Sequence, residues 1–428
     1  MRISRRAVAT AAVLATVLPL SACGGGSGTG SSDASGKVEG KITFQTWNLQ
    51  ANFKDYFNGV IADFEKKYPG TDVKWVDRPG EGYADKISAD AAGGTLPDVV
   101  NVSPDLVAPL AKAGIALDLD KAASKYREEY LPGAWQSHQI PGTEGTFAFP
   151  WYLNTGPMFY NKRLLKDAGL DPQDPPSTYD EVFSDGLKLA GKSKGKVATL
   201  ANVPTIEDFG RYGGQLMDKE GTGFAFNDAK GVELLTHFKE LYDAKALDPQ
   251  ALTATPESSG HKFLTESVAM NPGSALDLAN FKKQAPGLYK NIGITDQVSS
   301  TGKANMYVMG IMVNAQTKQK PAAVAFAHYM TDATRQMEFA KKVAIFPSTA
   351  GSLDDPYFTK EDGTDETRVR VAAAKSLKTA VNYTPVLFSD QMKTELRNQI
   401  ARALQGKQSP KEALDNAVKA CNRLLQQS

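Results

Sequence analysis

The sequence predicts an α/β protein of two domains, with a parallel sheet in the first. Two observations lead there. About 390 residues follow a glycine-rich stretch near the N-terminus of the 428-residue chain, more than a single hydrophobic core organises, so two domains are expected. The first part of that length also alternates between segments of strand period and segments of helix period, the pattern of a parallel sheet covered by helices.

Residues 41–47 (KITFQTW) alternate as a strand. From Asn52 onward, Phe53, Phe57, Val60, Ile61, Phe64 and Tyr68 share one helical face, and Pro69-Gly70 ends the helix. A second strand follows over 72–77, a helix over 85–92 and a third, nearly all-apolar strand over 98–102. Open parallel sheets bind ligands outside the carboxyl ends of their strands. That rule places Trp47 and Asn48, Asp77 to Gly80, and Ser103 to Asp105 at the crevice. A second unit is read after Trp151, with strands over 158–160, 268–271 and 291–295 and a helix over 228–244. Thr178 and Glu181 form a capping box. Residues 306–314 (MYVMGIMVN) make a buried strand, and Pro321 opens a helix. The last helix opens on Ser409-Pro410-Lys411-Glu412, with Leu414, Val418, Cys421 and Leu425 on its apolar face. Cys421 is therefore read as a core residue.

The N-terminus predicts export. Arg2, Arg5 and Arg6 precede an uncharged apolar run over 7–20, too short to span a bilayer but suited to a signal peptide over 1–22. The run closes on Leu20-Ser21-Ala22-Cys23-Gly24, which resembles the lipobox of bacterial lipoproteins. The resemblance implies lipidation at Cys23, with residues 23–37 as lipidated cysteine and flexible tether. The tether's reach is on the order of 20 Å by random-coil scaling. Ser4-Arg5-Arg6 is also similar to a twin-arginine signal. A lipid anchor would be the only attachment to the outer face of the membrane, since no later apolar run is long enough to span.

Composition narrows the function. A net charge of +1 argues against nucleic acid as a partner and against bulk steering of a charged ligand. After Cys23 only Cys421 remains, which leaves no internal disulfide. Nucleophile-elbow, phosphate-loop, dinucleotide and zinc-protease motifs are absent, and His138, His237, His261 and His328 have no ligand-spaced neighbours. No cofactor or metal is expected. What recurs at the loop positions is aromatic rings beside planar polar groups. Trp47-Asn48, Trp151-Tyr152, Arg211-Tyr212, Gly273-Ser274 with Asn271, and Phe346 with Ser348 all have this character. A sugar needs the mixture: its C–H faces pack on rings and its hydroxyls need donors and acceptors. Trp75 and Trp135 are assigned to the core.

Five stretches, in order along the chain, resemble the extracellular solute-binding proteins of carbohydrate ABC importers, the group that includes maltose- and glycerol-phosphate-binding proteins. They are 42–48 with the helix end 64–70; 94–100 (GTLPDVV); 159–162 (FYNK) with 176–181; 263–270 (FLTESVAM); and 323–340 leading to Phe346-Pro347. The resemblance implies a type II periplasmic-binding-protein fold with parallel-rich sheets and three hinge crossings, near 153–155, 296–302 and 347–351. The lobes would be 38–152 plus 303–346, and 155–296 plus 351–428. It implies a monomer without enzymatic activity that closes on a sugar or oligosaccharide and delivers it to permease subunits driven by a separate ATPase. The resemblance implies ligand contacts from the loop after the first strand, the 103–105 position, the first hinge segment and the Gly273-Ser274 turn, and with the crevice and loop residues read above the candidate set is Trp47, Asn48, Asp77, Ser103, Asp105, Trp151, Tyr152, Arg211, Tyr212, Gly273 and Ser274. Many sugar binders carry Trp after that glycine; Ser274 stands there instead, with Phe346, Tyr212 or Tyr307 as substitutes for the missing ring. Two alternatives stay open. One is another small solute, a polyol or a glycerol-phosphate diester, for which Arg78 and Arg211 are the basic candidates. The other is a surface-anchored glycoside hydrolase, which needs two cleft carboxylates about 5–9 Å apart.

Overall fold

In a computed structural model that describes residues 34–426 apart from Thr255, the chain forms two sheets, each with its own helical cover. The export signal and Cys23 lie outside the described residues.

In the first lobe β1 (Gly40–Trp47) pairs in parallel with β2 (Thr71–Arg78) and with β3 (Val99–Val102). Ile42 and Phe44 of β1 are buried with Phe57, Val60, Ile61 and Phe64 of the helix Gln50–Lys67, the face read from its periodicity. All of β3 is buried, as its unbroken apolar character requires of a strand covered on both faces. Beyond β3 the pairing changes sense. β8 (Tyr307–Val313) lies antiparallel between β3 and β4 (Phe149–Asn154), and β9 (Phe346–Pro347) is antiparallel to β4, giving the order β2-β1-β3-β8-β4-β9. A strand entering the lobe from the hinge has to run opposite to strands that end at the hinge. The parallel-rich expectation thus holds only for β1 to β3.

The second lobe carries β5 (Met158–Asn161) between β6 (Met270–Pro272) and β7 (Ile292–Thr295), both pairings antiparallel, with isolated parallel bridges at Ala198–Val268 and Leu200–Leu247. Its core joins Phe209, Phe226 and Phe238 to Leu414, Val418 and Cys421 of the last helix, Pro410–Leu425. Ser409 caps that helix through the Glu412 N–H, and burial pushes the Cys421 thiol up to about 12.

The chain passes from β4 to β5 at 155–157 and from β7 to β8 at 296–306. The third crossing is not at 347–351. There Ser348 is buried in the first lobe, its hydroxyl donating to the Pro150 carbonyl at 2.8 Å and its N–H to Gln336 Oε1 at 2.7 Å. The helix Asp365–Leu377 follows, and Ala373, Ala374 and Leu377 pack with Leu153, Met306 and Phe346. Its other half meets the second lobe, with Val369 packed among Phe159, Phe281 and Ile292 and Asp365 accepting from the Tyr289 hydroxyl at 2.6 Å, so this helix bridges the two lobes. The crossing comes at 381–383, where Val381 accepts from the Met306 N–H at 3.0 Å and donates to the Ala304 carbonyl at 3.1 Å. Phe388 then enters the second core.

His138 is fully buried in the first lobe, with neither ring nitrogen in hydrogen-bonding geometry and Nε2 crowding Gly310 of β8. Burial lowers its pKa to about 4, with the Ala134 backbone opposing weakly. The unfolded chain, at about 6.5, binds the proton first, so stability is complete above about 6.5 and falls as pH drops toward 4. The melting temperature is expected to decline across that window, and a His138→Leu variant to decline less; equal slopes in calorimetry would show that His138 does not titrate this way.

Candidate functional site

Strands β1 and β3 end at the edge of the first lobe that faces the hinge, and the residues after them form one cluster. Asn48 holds a left-handed backbone (φ 52°), and its Oδ1 accepts from the Gly80 N–H at 3.2 Å. Both oxygens of Asp77 are occupied. They accept from Leu49 N–H, Gln50 N–H at 2.9 Å and the Thr46 hydroxyl at 2.6 Å. Leu49, at the N-cap of the helix Gln50–Lys67, supplies no side-chain cap, and Asp77 fills that role from the neighbouring strand. Its carboxylate organises the loop and is not available to a ligand. Trp47 is half-buried, edge-on to Tyr83 at 4.5 Å. Ser103 precedes the helix Pro104–Lys112 without capping it, and Asp105 is exposed in its first turn.

A cavity of about 430 Å³ lies where the lobes meet. Asn154, Thr155 and Tyr307 line it from the first lobe and first crossing, Glu207, Arg211, Gly273 and Ser274 from the second lobe, and Gln297 and Asn305 from the second crossing. The helix Ile206–Tyr212 sets Glu207 and Arg211 one turn apart. Arg211 gives Nη2 to Asp208 at 2.5 Å and Nη1 to the Val298 carbonyl at 3.1 Å. The Tyr179 hydroxyl also donates to Asp208, at 2.6 Å. The guanidinium is thus neutralised and braced, while its buried Nε–H has no acceptor. Glu207 accepts from Thr384 at 2.6 Å. Tyr307 is 56 % exposed at the head of a strand whose remaining residues are mostly buried. Gly273 is needed for close approach: a Cβ there would come within 2.2 Å of the Phe159 ring. Ser274 caps the helix Ala275–Gln284 in a capping box with Asp277.

Arg211, Gly273, Ser274 and Tyr307 of the expected set meet in this cavity; Trp47, Asn48, Ser103 and Asp105, at the edge of the first lobe, do not line it. Trp151, expected as a stacking platform, is core. It is 1 % exposed, its ring parallel to Phe339 (8°) at 5.6 Å and edge-on to Phe57 at 6.0 Å. The register of β4 slips between Pro150 and Tyr152, and the extra residue, Trp151, turns inward. Tyr152 packs on Trp151 and Phe339, and burial pushes its phenol up to about 12. Tyr212 is buried in the second core against Tyr179 and Phe183. Phe346 is 6 % exposed, packs on Phe358 and lines a neighbouring cavity of about 410 Å³ instead. Glu207, Gln297, Asn305 and Asn154 escaped the sequence reading. Glu207 had one signal, its place in the capping box Thr205–Asp208 that opens the helix beside Arg211.

The model of the family described as bacterial extracellular solute-binding protein matches residues 50–337. The chain belongs to that family. Curated relatives include the sn-glycerol-3-phosphate-binding periplasmic protein UgpB of Shigella flexneri, 25 % identical over 91 % of this chain and 94 % of that one. Among solved structures, a periplasmic-binding protein of Synechococcus is 26 % identical, with a TM-score of 0.72 over 90 % of this chain and 99 % of that one. The GacH receptor of Streptomyces glaucescens, solved unliganded and with acarbose, is 25 % identical with a TM-score of 0.63 over 91 % and 99 %. Sugar-binding MalE of Xanthomonas citri shares the fold, with a TM-score of 0.72 at 18 % identity over 91 % and 98 %. The two-lobed solute-binding fold is therefore that of this chain, and members of the family hand a small ligand to permease partners. Among the described residues no helix is long and apolar enough to cross a membrane.

The geometry separates the two aromatics. Trp151→Ala should cost about 3–5 kcal/mol of stability, whereas Tyr307→Ala should leave the melting temperature nearly unchanged. Calorimetry on the pair checks this, and similar melting temperatures for both variants would contradict the core assignment of Trp151.

Proposed function

We propose that this protein captures a neutral sugar or oligosaccharide in the cavity between its lobes and presents it to the permease of an ABC importer by closing. The observation that carries the reading is the lining of that cavity. An exposed aromatic, Tyr307, stands among amide and hydroxyl groups from Asn154, Thr155, Gln297 and Asn305, and Arg211, the one cation lining it among the described residues, is already neutralised by Asp208. A phosphate ester would need a cation free to pair with it. Arg78, the other basic candidate, points its Nε toward Gln45. The relation to UgpB keeps glycerol-phosphate as the second reading, while the GacH complex with acarbose supports a saccharide. Among the described residues Glu207 is the one carboxylate lining the cavity, which disfavours a hydrolase built on a carboxylate pair; we read the protein as a binder without catalytic activity. Asn48, Ser103, Asp105 and Trp47 at the lobe edge are proposed to reach the solute as the lobes close.

A thermal-shift screen over neutral sugars, polyols and glycerol-phosphate esters tests the solute class, because a cleft ligand raises the melting point by mass action. A sugar should give the largest shift, and Tyr307→Ala should weaken its binding about tenfold, in line with loss of part of an aromatic contact. A shift from phosphate esters alone would favour the second reading.

We also propose that the mature protein begins at lipidated Cys23, sits on the outer face of the membrane and acts as a monomer. Cys23→Ala should move it from the membrane fraction to precursor or medium. Unchanged membrane fractionation would remove the lipid anchor.

A further inference from the structure

Two side chains, Gln297 and Asn305, join the crossing segments. Gln297 donates Nε2 to the Thr155 hydroxyl at 2.7 Å and the Gly156 carbonyl at 3.0 Å, both in the first crossing, and to the Asn305 carbonyl at 3.2 Å. Its Oε1 accepts from the Asn305 N–H at 3.0 Å. Thr155 Oγ1 donates to the same Asn305 carbonyl at 2.9 Å. Asn305 Oδ1 in turn accepts from the Tyr383 N–H of the third crossing at 3.0 Å. Outside this set the first crossing presses on Gly273, since a Cβ on Gly156 would come within 2.5 Å of the Gly273 carbonyl. Gln297, Thr155, Gly156 and Asn305 also line the cavity between the lobes.

We propose that Gln297 is a positioning residue that ties the first crossing to the second, from which Asn305 reaches the third, and that it couples occupancy of the cavity to the angle between the lobes. A half-buried amide with every polar atom engaged holds the segments in one arrangement, and bending is left to the backbone on either side of the tie. A solute whose hydroxyls meet Thr155 or Asn305 then strengthens or replaces bonds that already set the hinge. The coupling to a solute rests on the capture function proposed above; the tie itself does not.

The test compares wild type, Gln297→Leu and the milder Thr155→Val, which removes one partner of the amide and serves if the first variant melts early. Small-angle X-ray scattering of the ligand-free proteins should show a larger radius of gyration and a broader distance distribution for both variants. The best sugar from the thermal-shift screen should bind the variants about tenfold more weakly if the closure-competent fraction falls to about a tenth, at a melting temperature close to wild type. Scattering curves that superimpose on wild type overturn the proposal, whether or not affinity changes, because an affinity loss alone would make Gln297 an ordinary ligand contact. Altered scattering in a protein that binds no saccharide would support the tie and refute the sugar reading.

Discussion

Strand β8 pairs on both sides, with β3 on one and β4 on the other, and the path of the whole chain depends on that. The parallel ladder of β2, β1 and β3 ends in an open row of backbone donors and acceptors at β3. Left unpaired at the buried centre of a lobe, such a row is costly, and exposed it invites association. The strand that satisfies it lies more than 200 residues further along, after the second sheet. The chain must leave the first lobe, build the second, and come back. Closing the first lobe's sheet therefore creates the hinge.

The same route fixes the chemistry of the gap. Segments that cross carry their polar groups past the cavity, while alternate residues face away. Ala304, Met306 and Val308 sit in an apolar cluster with the helix Asp365–Leu377, and Tyr307 between them projects outward with 56 % exposure. An aromatic ring left open at the head of a buried strand gains nothing for folding. It is the feature that best distinguishes the cavity from a packing defect. The charged groups nearby are balanced locally, Arg211 by Asp208, so the cavity presents hydrogen-bonding groups more than net charge. That balance suits hydroxylated solutes.

Family membership and solute identity rest on different parts of the molecule. The sheets and their helices are shared with MalE at 18 % identity, as expected when burial and strand pairing conserve a scaffold. The proposed solute site is built of loop and crossing residues, which scaffold packing does not dictate. Ser274 shows the difference. As a helix cap joined to Asp277 it serves the scaffold whichever solute binds beside it.

Local periodicity and capping were legible in the sequence. The helix face of Phe57, Val60, Ile61 and Phe64, the Thr178–Glu181 capping box and the buried position of Cys421 all follow from residues within one or two turns of each other. The order of five short stretches was enough for the family. Tertiary structure decided which aromatics reach the gap. The sequence put Trp151 in the ligand set and Tyr307 only among substitutes for a missing ring, yet a one-residue slip in β4 turns the first into the core, and strand alternation in β8 turns the second out. It also decided that Asp77 caps a helix 27 residues away in the chain, and that the helix Asp365–Leu377 touches both lobes before the chain passes 381–383. Gln297 meets Thr155 across 142 residues of chain, a pairing that no local pattern encodes. Secondary structure responds to neighbours along the chain, whereas the composition of a gap between lobes is set by which distant segments arrive there and which way each side chain faces on arrival.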